Sequence, residues 1–128
     1  MAAPNVVNVT NITGKTAVLD INNTSDSDLT ILSGVGEKVL KVNIIRVANT
    51  HSTENDSVDI NFVRSSTNYP LVKDMAINIR NALPALEGPL YLEENDALTM
   101  SRLNSSSLDS STLVGIVSYE EIGDSSGY

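Results

Sequence analysis

The 128-residue chain contains no cysteine, no tryptophan, no glutamine, one histidine and one phenylalanine. Without cysteine there is no disulfide framework, no thiolate metal site and no thiol nucleophile. One imidazole excludes a zinc site of the usual multi-histidine kind. One Phe and four Tyr are a poor supply of the aromatic platforms that carbohydrate-cleaving clefts use. Basic residues are also scarce: eight Lys and Arg face sixteen Asp and Glu, a formal charge of −8. Such a balance argues against a protein that clamps phosphate backbones. No apolar run reaches the length of a membrane-spanning helix. Met1 to Val9 shows neither the basic region nor the apolar core of a secretory signal.

What fills the chain is small and polar. Sixteen Ser, ten Thr and fourteen Asn outnumber the charged residues, while 41% of positions remain apolar. That apolar share is too high for a disordered acidic tail. A chain of this length suits one domain that buries roughly two thirds of its unfolded surface. Val, Leu and Ile come in short runs separated by Ser, Asn, Asp and Gly, the pattern of many strands joined by turns.

The runs can be placed one by one. Thr13-Gly14-Lys15-Thr16 is a plausible turn, followed by Val18, Leu19 and Ile21. Leu29 to Leu32 follows the polar stretch Asn23 to Asp28. The longest candidate spans Glu37 to Asn49, with Leu40, Val42 and Ile44 on one face and Val39, Lys41, Asn43, Ile45 and Val47 on the other. Val58, Ile60 and Phe62 alternate with Asp59 and Asn61, as a half-buried antiparallel strand requires. Ser65 to Asn68 reads as a turn before an extended run from Tyr69 to Ile79, whose Pro70 suits an edge or a first position. Only Asn78 to Ala85 admits a helix, and Pro84 limits it to a single turn. Leu90 to Glu93, Ala97 to Leu103 and Leu113 to Ile122 complete the set. The expectation is all-β: an antiparallel β-sandwich, jelly-roll-like, of eight or nine short strands. Its expected boundaries are an N-terminal arm over 1–9, the sandwich over 10–122 and a tail over 123–128.

Sites of chemistry are hard to find. His51 lies beside Ser52 and near Asp56, but no Gly-x-Ser-x-Gly turn presents a nucleophile. Asn23 to Asp28 alternates oxygen-bearing side chains like a calcium loop, yet lacks the central Gly and distal Glu. Glu93-Glu94-Asn95-Asp96 reads better as a turn between strands than as a cation site. Gly34-x-Gly36 lacks the third Gly and following helix of a nucleotide loop. No catalytic, metal-binding or cofactor residue is assigned, and no enzyme activity is expected.

Four segments carry a resemblance. Pro89-Leu90-Tyr91-Leu92-Glu93-Glu94-Asn95-Asp96-Ala97-Leu98 is similar to a strand–turn–strand segment of small virion structural proteins of tailed marine bacteriophages, cyanophage-like. Val117-Ser118-Tyr119-Glu120-Glu121-Ile122 resembles their closing strand, Asn11 to Thr16 their opening segment, and Ile44 to Asn49 their long strand. The resemblance covers about residues 11–122 and rests on strand-and-turn patterns. Asn95 stands where that pattern has Gly, and Asn tolerates the positive φ needed there. The stretch from Asn81 to Pro84 departs from the pattern.

The resemblance implies a role in the particle, with capsid decoration (cement) expected first. The partners would be other virion proteins, the major capsid protein above all, without nucleic acid or membrane. A homo-oligomer is expected, a trimer favoured because shells offer three-fold sites. Assembly would take place in the host cytoplasm. The expected contact segments are Met1 to Val9 and the Ser-rich loop 104–112. A neck, tail or baseplate protein is the alternative, and a host-attachment or glycan-binding module is the alternative of another class.

Overall fold

The computed structural model describes residues 9–21, 29–50, 55–78, 80–102 and 113–124. Among them are nine strands and no helix: β1 (Val9–Asp20), β2 (Leu29–Ser33), β3 (Lys38–Asn49), β4 (Asp56–Arg64), β5 (Thr67–Ile77), β6 (Asn81–Pro84), β7 (Leu90–Leu92), β8 (Ala97–Arg102) and β9 (Leu113–Asp124). They form two antiparallel sheets. Sheet A runs β1-β9-β3-β6, with β7 also on β3, and sheet B runs β2-β8-β4-β5.

The pairings nest. β4 pairs with β5, β3 with both β6 and β7, β2 with β8, and β1 with β9. That is one long antiparallel hairpin rolled so that its layers alternate between two sheets. Rolling adds the lateral pairs β3·β9 and β4·β8. This is the strand order of a jelly roll, in which β6 and β7 share one strand position along β3. The innermost connection is the tight turn Ser65-Ser66, with φ of 54 and 62°. Positive φ at both positions marks a type I′ hairpin turn, made here without the usual Asn-Gly.

The core-facing positions follow strand parity until bulges interrupt it, while Val39 and its partner Ile122 are buried outside the core cluster. On β3, Leu40 and Val42 point inward, then the register against β9 shifts between Val42 and Ile44. Beyond that shift Ile45, Val47 and Asn49 are the buried positions. The mixed faces of the sequence are therefore one inward face cut by a bulge at Asn43. Ile44, expected to share a face with Leu40 and Val42, is 53% exposed on the opposite side. On β4, Val58 and Ile60 are fully buried and Phe62 packs against the same core. Leu98 and Met100 on β8, Val117 on β9 and Leu92 on β7 complete the inner layer.

At Gly115 of β9 a Cβ would collide with the Met100 sulfur across the core, so any larger residue there would force the Met100 side chain to move.

Three other local expectations are corrected. Thr13 to Thr16 is not a turn; β1 continues through it, each residue opposite one of β9. Among the described residues of Asn78 to Ala85 there is no helix: Arg80 has φ of 53°, and Asn81–Pro84 pairs with Asn49 to Arg46 of β3. Pro84 is tolerated there because β6 is an edge strand. Three strands, β1, β3 and β9, have 12 residues each and are not short. Val9 belongs to β1 and Gly123 and Asp124 to β9.

Candidate interaction surface

The core closes at each end on polar groups. At one end, Arg102 of β8 and Asp56 of β4 form a fully buried ion pair, with Nη2 2.8 Å from Oδ2. Arg102 Nε donates to the same carboxylate oxygen at 3.0 Å, and the Ser57 amide donates to Oδ1 at 2.8 Å. Beside it, buried Asn49 donates from Nδ2 to the Ile77 carbonyl at 3.1 Å, tying β3 in sheet A to β5 in sheet B. Parity places these residues here: Asp56 lies two positions before inward Val58, and Arg102 lies directly opposite Val58.

At the other end, Arg64 leaves the β4–β5 hairpin and grips Asp96 with two bonds. Nε donates to Oδ1 at 2.8 Å and Nη2 to Oδ2 at 2.6 Å. Nη2 also donates to Glu93 Oε2 at 3.0 Å, and the guanidinium sits 5.0 Å from the Phe62 ring centroid. Asp96 Oδ2 accepts the Glu93 amide as well, at 2.8 Å. The guanidinium bonds, then the Glu93 amide, hold the Asp96 carboxyl below its ordinary range against the opposing effect of burial. Asn95 has φ of 72° in this turn, as expected for a residue replacing Gly. Gly34 packs so closely that a Cβ would collide with the Glu93 carbonyl, and its amide donates to the Asp96 carbonyl at 2.8 Å. Gly34-x-Gly36 therefore serves packing between turns.

The acidic turn Glu93 to Asp96, considered above for a cation, is thus locked by its own arginine. An open depression of about 590 Å³ lies over it, lined by Arg64, Ser65, Ser66 and residues 93–96. Its one cation is already bonded to two carboxylates, which suits a turn clamp better than an anion site. Among the described residues, no group of three or more His, Asp or Glu could hold a metal ion. His51, Asn23 to Asp28, Met1 to Asn8 and the loop 104–112 lie outside the described residues.

A different surface emerges on the outside of sheet A. Among the described residues the exposed large hydrophobics are Ile12, Val18, Val35, Ile44, Tyr69 and Tyr91, and four of them stand on this face. Cross-strand register sets them in rows. Val18 faces Ile116, which faces Arg46; Thr16 faces Ser118, which faces Ile44; Tyr91 faces Lys41, which faces Glu120. Val18 and Ile44 are 65% and 53% exposed. Parity along β1 puts Val18 outside, and the bulge at Asn43 is what turns Ile44 outward.

Charge is distributed to match. The nine strands hold seven basic and seven acidic residues, so the net −8 falls wholly on residues outside the strands. The sheets are neutral within an acidic protein. On sheet A, Lys15 and Lys38 both reach Glu121, at 3.1 and 2.8 Å. The Lys38 bond, with Lys15 second among the bonds, keeps the Glu121 carboxyl below its usual range.

Sequence reading missed this surface, since Val18 was read only as part of an apolar run and Ile44 was set on one face with Leu40 and Val42. The signal available was the odd register of the run 39–47, where both faces carry apolar residues. No protein-family model matches the chain, and no characterised protein shows significant similarity to it.

Proposed function

We propose that this chain is an accessory structural protein of a phage particle, first as a decoration protein that stabilises the capsid shell. The observation that carries the proposal is the outer face of sheet A: exposed Ile12, Val18, Ile44 and Tyr91 on charge-balanced strands. Such a patch, rimmed by polar residues, is characteristic of a surface that another protein covers. The resemblance of residues 11–122 to small virion proteins supports the same reading. The jelly-roll order, common in capsid and lectin domains, fits it by analogy of fold.

The mechanism is addition of buried area at subunit seams. Each contact is modest, and copy number multiplies it. The neutral sheet faces meet the shell, and the excess acidic residues lie outside the strands. The major capsid protein is the proposed partner.

The test is binding of the purified chain to particles that lack it, followed by heating. Wild-type protein should bind at shell-scale copy number and raise the temperature at which DNA is released. Ile44→Asp should remain folded and fail to bind. Unchanged heat resistance at full occupancy would remove the cement role, and density confined to the tail or neck would move the protein there.

A further inference from the structure

We infer that the outer edge of β1 pairs with β1 of a second copy, in antiparallel register about a two-fold axis at Lys15. The inference rests on the reading of the chain as an assembly subunit and names one partner of its sheet A.

The sandwich has four edges, and three are defended in ways that sheet proteins use against strand addition. β2 is five residues long and its register slips between Thr30 and Leu32. The β6/β7 edge is broken into two short pieces, with Pro84 ending the first and Gly88-Pro89 in the gap. β5 carries Pro70 and two register shifts, and Asp74 sits at φ 55° in one of them.

β1 has no proline, and its one register shift lies at its start, between Val9 and Asn11. From Asn11 to Asp20 it lies in unbroken register with Gly123 to Val114. No described strand pairs with its other side.

Which groups face that side follows from one hydrogen bond. The Ile21 amide donates to the Leu113 carbonyl at 2.8 Å. In an antiparallel ladder bonded residues alternate. Odd-numbered residues of β1 therefore bond β9, and Ile12, Gly14, Thr16 and Val18 turn their amides and carbonyls outward. A joining strand must set even residues against even.

A second β1 centred on Lys15 does so. Ile12 then faces Val18 of the other copy, twice, and Gly14 faces Thr16, twice. The exposed apolar pair meets on the outer face, where cross-strand apolar pairs stabilise. Two five-stranded sheets become one.

Charge permits this contact. Although the protein is strongly acidic, β1 carries only Lys15 and Asp20, and the strands together are neutral. Lys15 faces its own copy across the axis, but each is bonded to the Glu121 of its own chain at 3.1 Å.

The test uses the full-length protein in solution. Sedimentation over a rising concentration series should show a dimer. Thr16→Pro removes an outward amide and Val18→Lys sets a charge against Ile12. Each should raise the dimer dissociation constant about tenfold or more, with an unchanged circular dichroism spectrum. Because the native chain has no cysteine, Lys15→Cys gives a clean covalent readout. A non-bonded antiparallel pair sits about 4.5 Å apart between Cα atoms, within disulfide reach. Mild oxidation should therefore link two chains. A monomer at all concentrations, a trimer, or a dimer indifferent to Thr16→Pro and Val18→Lys would overturn the inference. Particle binding by a monomeric protein would leave the assembly reading standing and this one fallen; a dimer that ignores particles would do the reverse.

Discussion

Sheet A and sheet B are built from the same residue types and put them to opposite uses. Sheet B buries polar groups: Asp56 and Arg102 are fully buried as side chains, and Asp59, on the opposite face from Val58 and Ile60, is buried against the bulge of β5. The Asp59 carboxylate accepts the Asp74 amide at 2.6 Å, which holds that residue's left-handed backbone, and lies 3.4 Å from Lys73 Nζ. Sheet A leaves apolar groups outside, with Ile12, Val18, Ile44 and Tyr91 in solvent and its ionic cluster at the rim. Sheet B thus spends its irregularities on fixing its own geometry. Sheet A is long and straight along β1 and offers area to something else. The comparison teaches where a small sandwich can carry an interface: on the layer whose register is least disturbed.

The contrast should break first at Arg102. Arg102→Ala leaves Asp56 buried without its counter-charge, and loss of one partner of such a pair costs about 3–5 kcal/mol. Urea unfolding should show that loss, while a joint Arg102→Met and Asp56→Leu replacement recovers most of it. Lys15→Ala, at the exposed cluster of sheet A, should cost less than about 1 kcal/mol. Similar losses at the two positions would refute the asymmetry.

Acid should act at the turn clamp and the rim together. Asp96 and Glu121 both have folded-state values below their ordinary range, through Arg64 and Lys38 respectively. Lowered carboxyl values stabilise the folded state above the unfolded pKa. That contribution is lost as pH falls below about 4 and passes through the lowered values. A melting series against pH should therefore drop in that window, and Asp96→Asn should flatten its share of the slope. A curve of equal steepness in Asp96→Asn would show that the clamp contributes nothing.

The smallest effect on stability should fall on the exposed face. Ile44→Lys and Val18→Lys alter residues more than half exposed, so folding free energy should stay within about 0.5 kcal/mol of wild type. Binding to particles should nonetheless fall away. Retained binding in both variants would sever the exposed face from function.

Much of the fold was legible. The alternation of Val58, Ile60 and Phe62 places β4, and Pro70 and Pro84 both sit on edge strands as proline must. Asn95 was readable as a positive-φ residue because it stands in a turn at a place for Gly, and Asn tolerates that backbone. The failures share one cause: pairing overrides local pattern. Gly14 between two threonines looks like a turn, but eleven pairs to β9 keep it extended. Asn81 to Leu83 are fair helix formers held in a strand by β3. The bulge at Asn43 exists only as a mismatch between two strands, so no single stretch of chain announces it. The candidate surface depended on that bulge and on the length of β1, and so it stayed hidden.

The nested pairing also dictates an order of events in time. Val9 lies opposite Asp124, whereas Arg64 lies opposite Thr67 across two residues. Closing the outer pair from an unfolded chain costs far more loop entropy than closing the inner one. Folding should thus start at the Ser65-Ser66 hairpin and zip outward, with β1 the last strand to dock. Pulse-labelled hydrogen exchange during refolding should find the amides of Val58 to Phe62 protected before those of Thr13, Lys15, Ala17 and Leu19. The strand with the open edge is then also the slowest to commit, and a neighbour present during synthesis meets it while it is still free to choose.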